Sequence, residues 1–108
     1  MQPEKVIQND ILRAFGTLPG LRLWRANVGV ARIGGRVVSF GIPGQADLTG
    51  IVPDGRRLEI EVKSAVGRQS PQQRSFQEMI ERFHGIYILA KSVDDVRRGL
   101  AAAGVRLG

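Results

Sequence analysis

The stretch Arg57-Leu58-Glu59-Ile60-Glu61-Val62-Lys63 strictly alternates charged and apolar residues. A period of two belongs to a β-strand, whose successive side chains point to opposite faces. The spacing predicts a half-buried strand with Leu58, Ile60 and Val62 on one face and Glu59, Glu61 and Lys63 on the other. Glu61 and Lys63 then stand side by side, about 7 Å apart along the strand.

Working outward, Pro53-Asp54-Gly55 is a tight turn that lays a preceding strand, Ala46 to Val52, antiparallel beside the Glu61 strand. That strand opens with Gly44-Gln45-Ala46-Asp47, so Asp47 and Glu61 can meet. Downstream, Ser70-Pro71 with Gln73 three residues after the serine opens a helix, whose buried stripe is Phe76, Met79, Ile80 and Phe83 and which ends at Gly85. Ile86 to Ala90 is a short apolar strand, and Ser92 caps a last helix carrying Val93, Val96 and Leu100, with Asp94 and Asp95 in its first turn. A strand, helix and strand in succession imply a right-handed crossover and a parallel pair.

Upstream, Leu21 to Asn27 and Val28 to Ile33 read as extended, Gly34-Gly35 is a hairpin turn, and Arg36 to Phe40 returns as a strand. Glu4 to Phe15 places Ile7, Ile11, Ala14 and Phe15 at helical spacing before Gly16 and Leu18-Pro19-Gly20 stop the helix. The elements run α-β-β-β-β-α-β-α. This is an α/β fold with a mixed central sheet flanked by helices.

The chain has 108 residues, the size of one domain, and 43% of them are apolar, enough for a core. The domain is expected to span residues 1–108. With no cysteine it can have neither disulfides nor a cysteine-rich zinc site. It has no apolar run long enough for a membrane span and no leader pattern at its start, so the expectation is a soluble, cytoplasmic protein with no membrane partner. Sixteen basic residues against ten acidic ones give a net charge of +6, and 13 of the 16 are arginine. Arginine holds phosphate oxygens in pairs, which puts nucleic acid first among partners, although the same balance also suits a merely basic soluble protein.

Two converging carboxylates with a lysine one pleat away make a chemical set: hard oxygen ligands for Mg²⁺ or Mn²⁺, and a cation beside the water or phosphate held there. Such a set hydrolyses phosphodiesters. The same alternation also fits a solvent-facing strand of ordinary surface charges. Glu4 lies on the helical line of Ile11 and Phe15, so it is either an inward group near the metal or a solvated residue at a frayed end. Gln73 either orients a water or phosphate near Lys63 or is the capping-box partner of Ser70. His84, the one histidine, precedes Gly85 at a helix end, where a dipole contact is expected. Trp24 is expected in the core rather than stacking on bases. Arg25, Arg32, Arg36, Arg56, Arg57, Arg68 and Arg74 flank the proposed site in sequence and are candidates for phosphate contacts; the Arg32 to Arg36 hairpin tip would probe a groove or bridge to another subunit. The helix after Gly67-Arg68 offers its amino end to a phosphate.

Gly44-x-x-Asp47, thirteen residues, Glu61-x-Lys63, then Ser70-Pro71-x-Gln73, preceded by a helix with Glu4, resembles the VRR-NUC family of the PD-(D/E)XK nuclease superfamily, in its stand-alone, phage-type form. Asn27, Gly29 and Phe40-Gly41 look similar as well, while Ala46 stands before Asp47 where the superfamily name has proline. The resemblance implies a restriction-endonuclease-like core and cleavage of DNA, branched or flapped, in replication, recombination or repair. It implies Asp47, Glu61 and the Val62 carbonyl as ligands of Mg²⁺ or Mn²⁺, with Glu4 as a further ligand or water-holding group. Lys63 would be the catalytic lysine, Gln73 the motif glutamine and Glu4 the acid of the first helix. One site per chain implies a homodimer for cutting both strands, through the apolar hairpin or the terminal helices. The alternative is a non-catalytic basic nucleic-acid-binding module on the same scaffold, and RNA remains open beside DNA as substrate.

Overall fold

A computed structural model describes residues 2–27 and 29–107. Its elements are α1 (Glu4–Phe15), β1 (Arg22–Arg25), β2 (Gly29–Ile33), β3 (Arg36–Phe40), β4 (Leu48–Ile51), β5 (Arg57–Val62), α2 (Pro71–Arg82), β6 (Ile86–Ala90) and α3 (Val93–Ala102). The central sheet has the order β1-β4-β5-β6. β4 pairs antiparallel with both β1 and β5, and β6 lies parallel to β5, so the sheet is mixed.

Three layers result. Ile7, Ile11 and Phe15 of α1 and Val96 and Leu100 of α3 pack on Leu23, Leu48, Leu58, Ile60, Val62 and Ile88, all buried. On the opposite face α2 sets Phe76 and Ile80 against Ala46, with Met79 and Tyr87 beside them. The start of α2 follows from its sequence: Ser70 Oγ accepts from Gln73 N, the Gln73 side chain accepts from Ser70 N, and Pro71 occupies a first-turn position that needs no N–H. Gly44 fixes where that helix end lies. Its φ is +79°, and a Cβ there would press on the Gln72 carbonyl and come within 2.8 Å of Gln73 N, so only glycine lets the loop before Asp47 touch the first turn of α2.

The structure corrects the sequence reading in four places. The extended run Leu21 to Ile33 is two strands: the β1–β4 pairing ends with Ala26 N donating to the Asp47 carbonyl (2.9 Å), and β2 then pairs only with β3 in a separate two-stranded ribbon. Val28, the first residue of the expected hairpin strand, lies outside the described residues, as do Met1 and Gly108. β5 is buried on both faces from Leu58 to Val62, since α2 covers the charged side and the acids there find polar partners. Trp24 is 53% exposed, because it sits on the edge strand β1 while α2 packs over β6. Phe83 is 73% exposed; the helix ends at Arg82, and Phe83 is its non-helical cap, so it does not continue the buried stripe of Phe76 and Ile80. Among the described residues no helix is long and apolar enough to cross a membrane.

Candidate functional site

The polar face of β5 ends in a cluster. The β4–β5 pairing stops at Leu48 opposite Ile60, and Asp47 lies one residue beyond it. There its Oδ2 accepts a hydrogen bond from Val62 N at 2.8 Å. N–H and C=O of one strand residue point to the same edge, so the Val62 carbonyl also faces the Asp47 side, past the last ladder pair.

Glu61 is 2% exposed. Its Oε2 receives Gln73 Nε2 at 2.9 Å and has Lys63 Nζ at 3.4 Å. Its Oε1 is buried without a hydrogen-bond partner among the described residues. Burial first, and the neighbouring Asp47 charge second, push the Glu61 carboxyl up to about 8, against the pull of the Lys63 ammonium. Burial beside Asp47 therefore favours the protonated form of Glu61 in the protein as it stands.

Gln73 is the capping-box partner of Ser70. Its side-chain oxygen closes the capping box on Ser70 N while its nitrogen reaches Glu61. Glu4 is neither frayed nor free: its Oε2 accepts from Ser64 N at 3.3 Å, which brings the first turn of α1 beside the residue following Lys63. Among the described residues no three Asp, Glu or His side chains converge as a metal cage. Asp47 and Glu61 are neighbours on this face, with Asp47 tied to the Val62 backbone and Glu4 to the Ser64 backbone.

Arginines separate into groups. Arg25 is at the same end of the sheet but bonds the side-chain oxygens of Gln8 and Asn9. Arg68 and Arg74 flank the start of α2 and are exposed. Arg32 and Arg36 stand exposed on the ribbon. Arg56 and Arg57 lie at the opposite end of β5: Arg56 bonds Asp54 and the Ala103 carbonyl, both at 2.8 Å, and Arg57 Nε bonds Glu59 at 2.9 Å. His84 is also remote, in a hollow with Asp54, Arg57 and Phe83.

For two polar residues of this face the sequence reading gave no burial or partners. Glu59 is fully buried, bonded by Thr49 Oγ1 and Arg57, with Oε1 unpartnered. The strand register, Thr49 opposite Glu59, is the signal that would have found it. Tyr87, opposite Glu59 on β6, takes Gln69 Nε2 on its hydroxyl at 3.2 Å, and burial pushes its phenol up to about 12.

Comparison with known proteins finds no matching family model, no matching curated protein and no matching solved structure. Within the chain itself, the described residues bring Asp47, Glu61, Val62, Lys63 and Gln73 together at one end of the sheet.

Proposed function

We propose that this protein is a divalent-metal-dependent nuclease that hydrolyses phosphodiester bonds in DNA, with a restriction-endonuclease-like core of the VRR-NUC type. The observation that carries the reading is the open, buried Glu61 Oε1 beside Asp47, with Lys63 within 3.4 Å of the same carboxylate. Hard oxygen donors of this kind fit Mg²⁺ or Mn²⁺. Asp47, Glu61 and the Val62 carbonyl would hold the ion, which when bound supplies charge neutralisation at phosphate oxygens and a lowered pKa for a coordinated water.

The chain's own groups then divide the work. The Val62 N–H locks one Asp47 oxygen and leaves the other for a ligand. Gln73 occupies Glu61 Oε2, so Oε1 is the oxygen that remains. The Lys63 ammonium, with its side chain 13% exposed, presents a positive charge and proton donors to the attacking water or to a non-bridging phosphate oxygen as charge builds in the transition state. Water attacks phosphorus and gives up a proton to solvent, the P–O bond to the leaving sugar oxygen breaks, and the leaving oxygen takes a proton from solvent.

The test is incubation of the purified protein with four-way-junction, flap and linear duplex DNA in Mg²⁺ or Mn²⁺. The reading requires cutting, with a preference for branched substrates, that is abolished by Asp47→Asn and Lys63→Ala. No cutting, or cutting undiminished in both variants, overturns it; an RNA arm separates the two nucleic acids.

Cutting both strands requires two sites, and the β2–β3 ribbon supports a homodimer. Val30, Ile33, Val37, Val38 and Phe40 are all exposed on it, and an isolated two-stranded ribbon is marginal in water without a partner. Light scattering at micromolar protein should give a dimer, and a monomer removes this part. The second reading, a non-catalytic DNA-binding module, draws on there being no third converging acid among the described residues. Salt-sensitive DNA binding without any Mn²⁺ binding would favour it.

A further inference from the structure

The hollow beyond Lys63 carries charge of one sign only. It encloses about 690 Å³ and is lined by Arg68, Arg74 and Lys91 together with Gly67, Gln69 and Leu89, with no carboxylate in its wall. The adjoining hollow along the outer edge of β6 differs: there Lys91 and Arg56 share the wall with Glu81 and Asp95. Among the described residues neither the Arg68 nor the Arg74 guanidinium has a hydrogen bond or ion pair. Lys91 Nζ makes one hydrogen bond, to the Ala65 carbonyl at 3.0 Å, and keeps its other protons. Three cations held around one space without a counter-charge repel one another, a cost that an entering anion reverses.

The hollow adjoins the cluster described above through residues next to Lys63 and Gln73 in the chain. Gly67 N donates to the Ser64 carbonyl (3.1 Å), folding the loop back so that Gly67 packs directly on the root of the Lys63 side chain and forms the wall between the two. On the other side Arg74 follows Gln73, whose amide holds Glu61. Gly67 and Arg74, both in the wall of the hollow, are thus neighbours of Lys63 and Gln73, which touch the Glu61 carboxylate. Val66, 73% exposed, and Leu89, 41% exposed, offer apolar contact, while the lining contains no aromatic ring on which a base would stack.

From this geometry we infer that the hollow at Arg68, Arg74 and Lys91 is the channel for the phosphates of the nucleic-acid strand adjoining the one that reaches Lys63. It rests on the nuclease reading for its polarity but not for its existence. Free guanidiniums in an open basin track a polyanion's backbone, and they do so without regard to sequence. Lys91, which no motif singled out, becomes a strand-binding residue through its place on the far rim.

The test is fluorescence anisotropy with a short labelled duplex in the presence of chelator, so that nothing is cut, over about 50 to 200 mM salt. Arg68→Ala/Arg74→Ala should weaken binding about tenfold and flatten the salt slope by about two, one per lost phosphate contact, while Lys91→Ala flattens it by about one. Arg82→Ala/Arg106→Ala, which removes the same charge from exposed positions elsewhere, should leave affinity and slope near those of the wild type. Unchanged binding in the first double variant, or an equal loss in the control, overturns the proposal. Displacement of the duplex by inorganic phosphate at matched ionic strength would show a pocket for a free anion and overturn the strand assignment. A protein that passes these tests yet neither binds Mn²⁺ nor cuts DNA loses the nuclease reading alone.

Discussion

Gln73 Nε2 donates to Glu61 Oε2 at 2.9 Å while Oε1 of the same amide accepts from Ser70 N at 2.8 Å. One side chain thus both starts α2 and fixes which Glu61 oxygen stays available. Helix capping and site geometry are coupled through that amide.

Ser70→Ala and Gln73→Ala should separate the two roles. Each breaks the capping box and should cost about 1 kcal/mol in urea unfolding. Only Gln73→Ala releases Glu61, so only it should weaken Mn²⁺ affinity in calorimetry. Equal Mn²⁺ affinities would detach Gln73 from the site.

The stability of the metal-free protein should depend on pH through Glu61. Its folded value, about 8, lies above the ordinary value of 4.5, so the protonated form is the one folding favours. The contribution is fully present below pH 4.5 and is lost as pH rises through 8. Melting temperature without metal should fall across that window, Glu61→Gln should flatten the fall, and Mn²⁺ should raise the melting temperature most at its alkaline end. A melting temperature that rises steadily from pH 5 to 8 in chelator speaks against a buried, uncompensated Glu61.

Gly44→Ala should cost at least about 2 kcal/mol, since it combines a side chain at positive φ with a collision against the first turn of α2. Because Asp47 follows in the same loop, Mn²⁺ affinity should fall in parallel. Denaturant unfolding together with calorimetry reads both effects.

Glu59 and Glu61 share a face of β5 but should behave differently. Thr49→Val takes the hydroxyl from Glu59 and leaves a buried acceptor less satisfied, at a cost of about 1–3 kcal/mol. DNA cleavage and Mn²⁺ binding measured on the folded variant should be unaffected, because Thr49 touches neither Asp47 nor Lys63.

What the sequence disclosed was periodic or local. The alternation in Arg57 to Lys63 placed Glu61 and Lys63 on one face, the turn at Pro53 to Gly55 placed Asp47 beside them, and Ser70-Pro71 with Gln73 marked the start of α2. What it hid depended on coverage by distant elements. Nothing local to β5 says that α2 buries its charged side, and nothing local to Trp24 says that β1 is an edge. The run from Leu21 to Ile33 carries no strong breaker in its sequence, so the point at which β1 ends and the ribbon begins is not marked locally. The Glu59, Thr49 and Arg57 set needed strand register, and the basin at Lys91 needed the fold of residues 64–67, to bring residues far apart in the chain together.

The most direct measurement is calorimetric titration of Mn²⁺ into the wild type and three variants. The account predicts binding that is lost in both Asp47→Asn and Glu61→Gln, which keep the shape of the side chain, and retained in Lys63→Ala. Binding that persists undiminished in Asp47→Asn or in Glu61→Gln would contradict it.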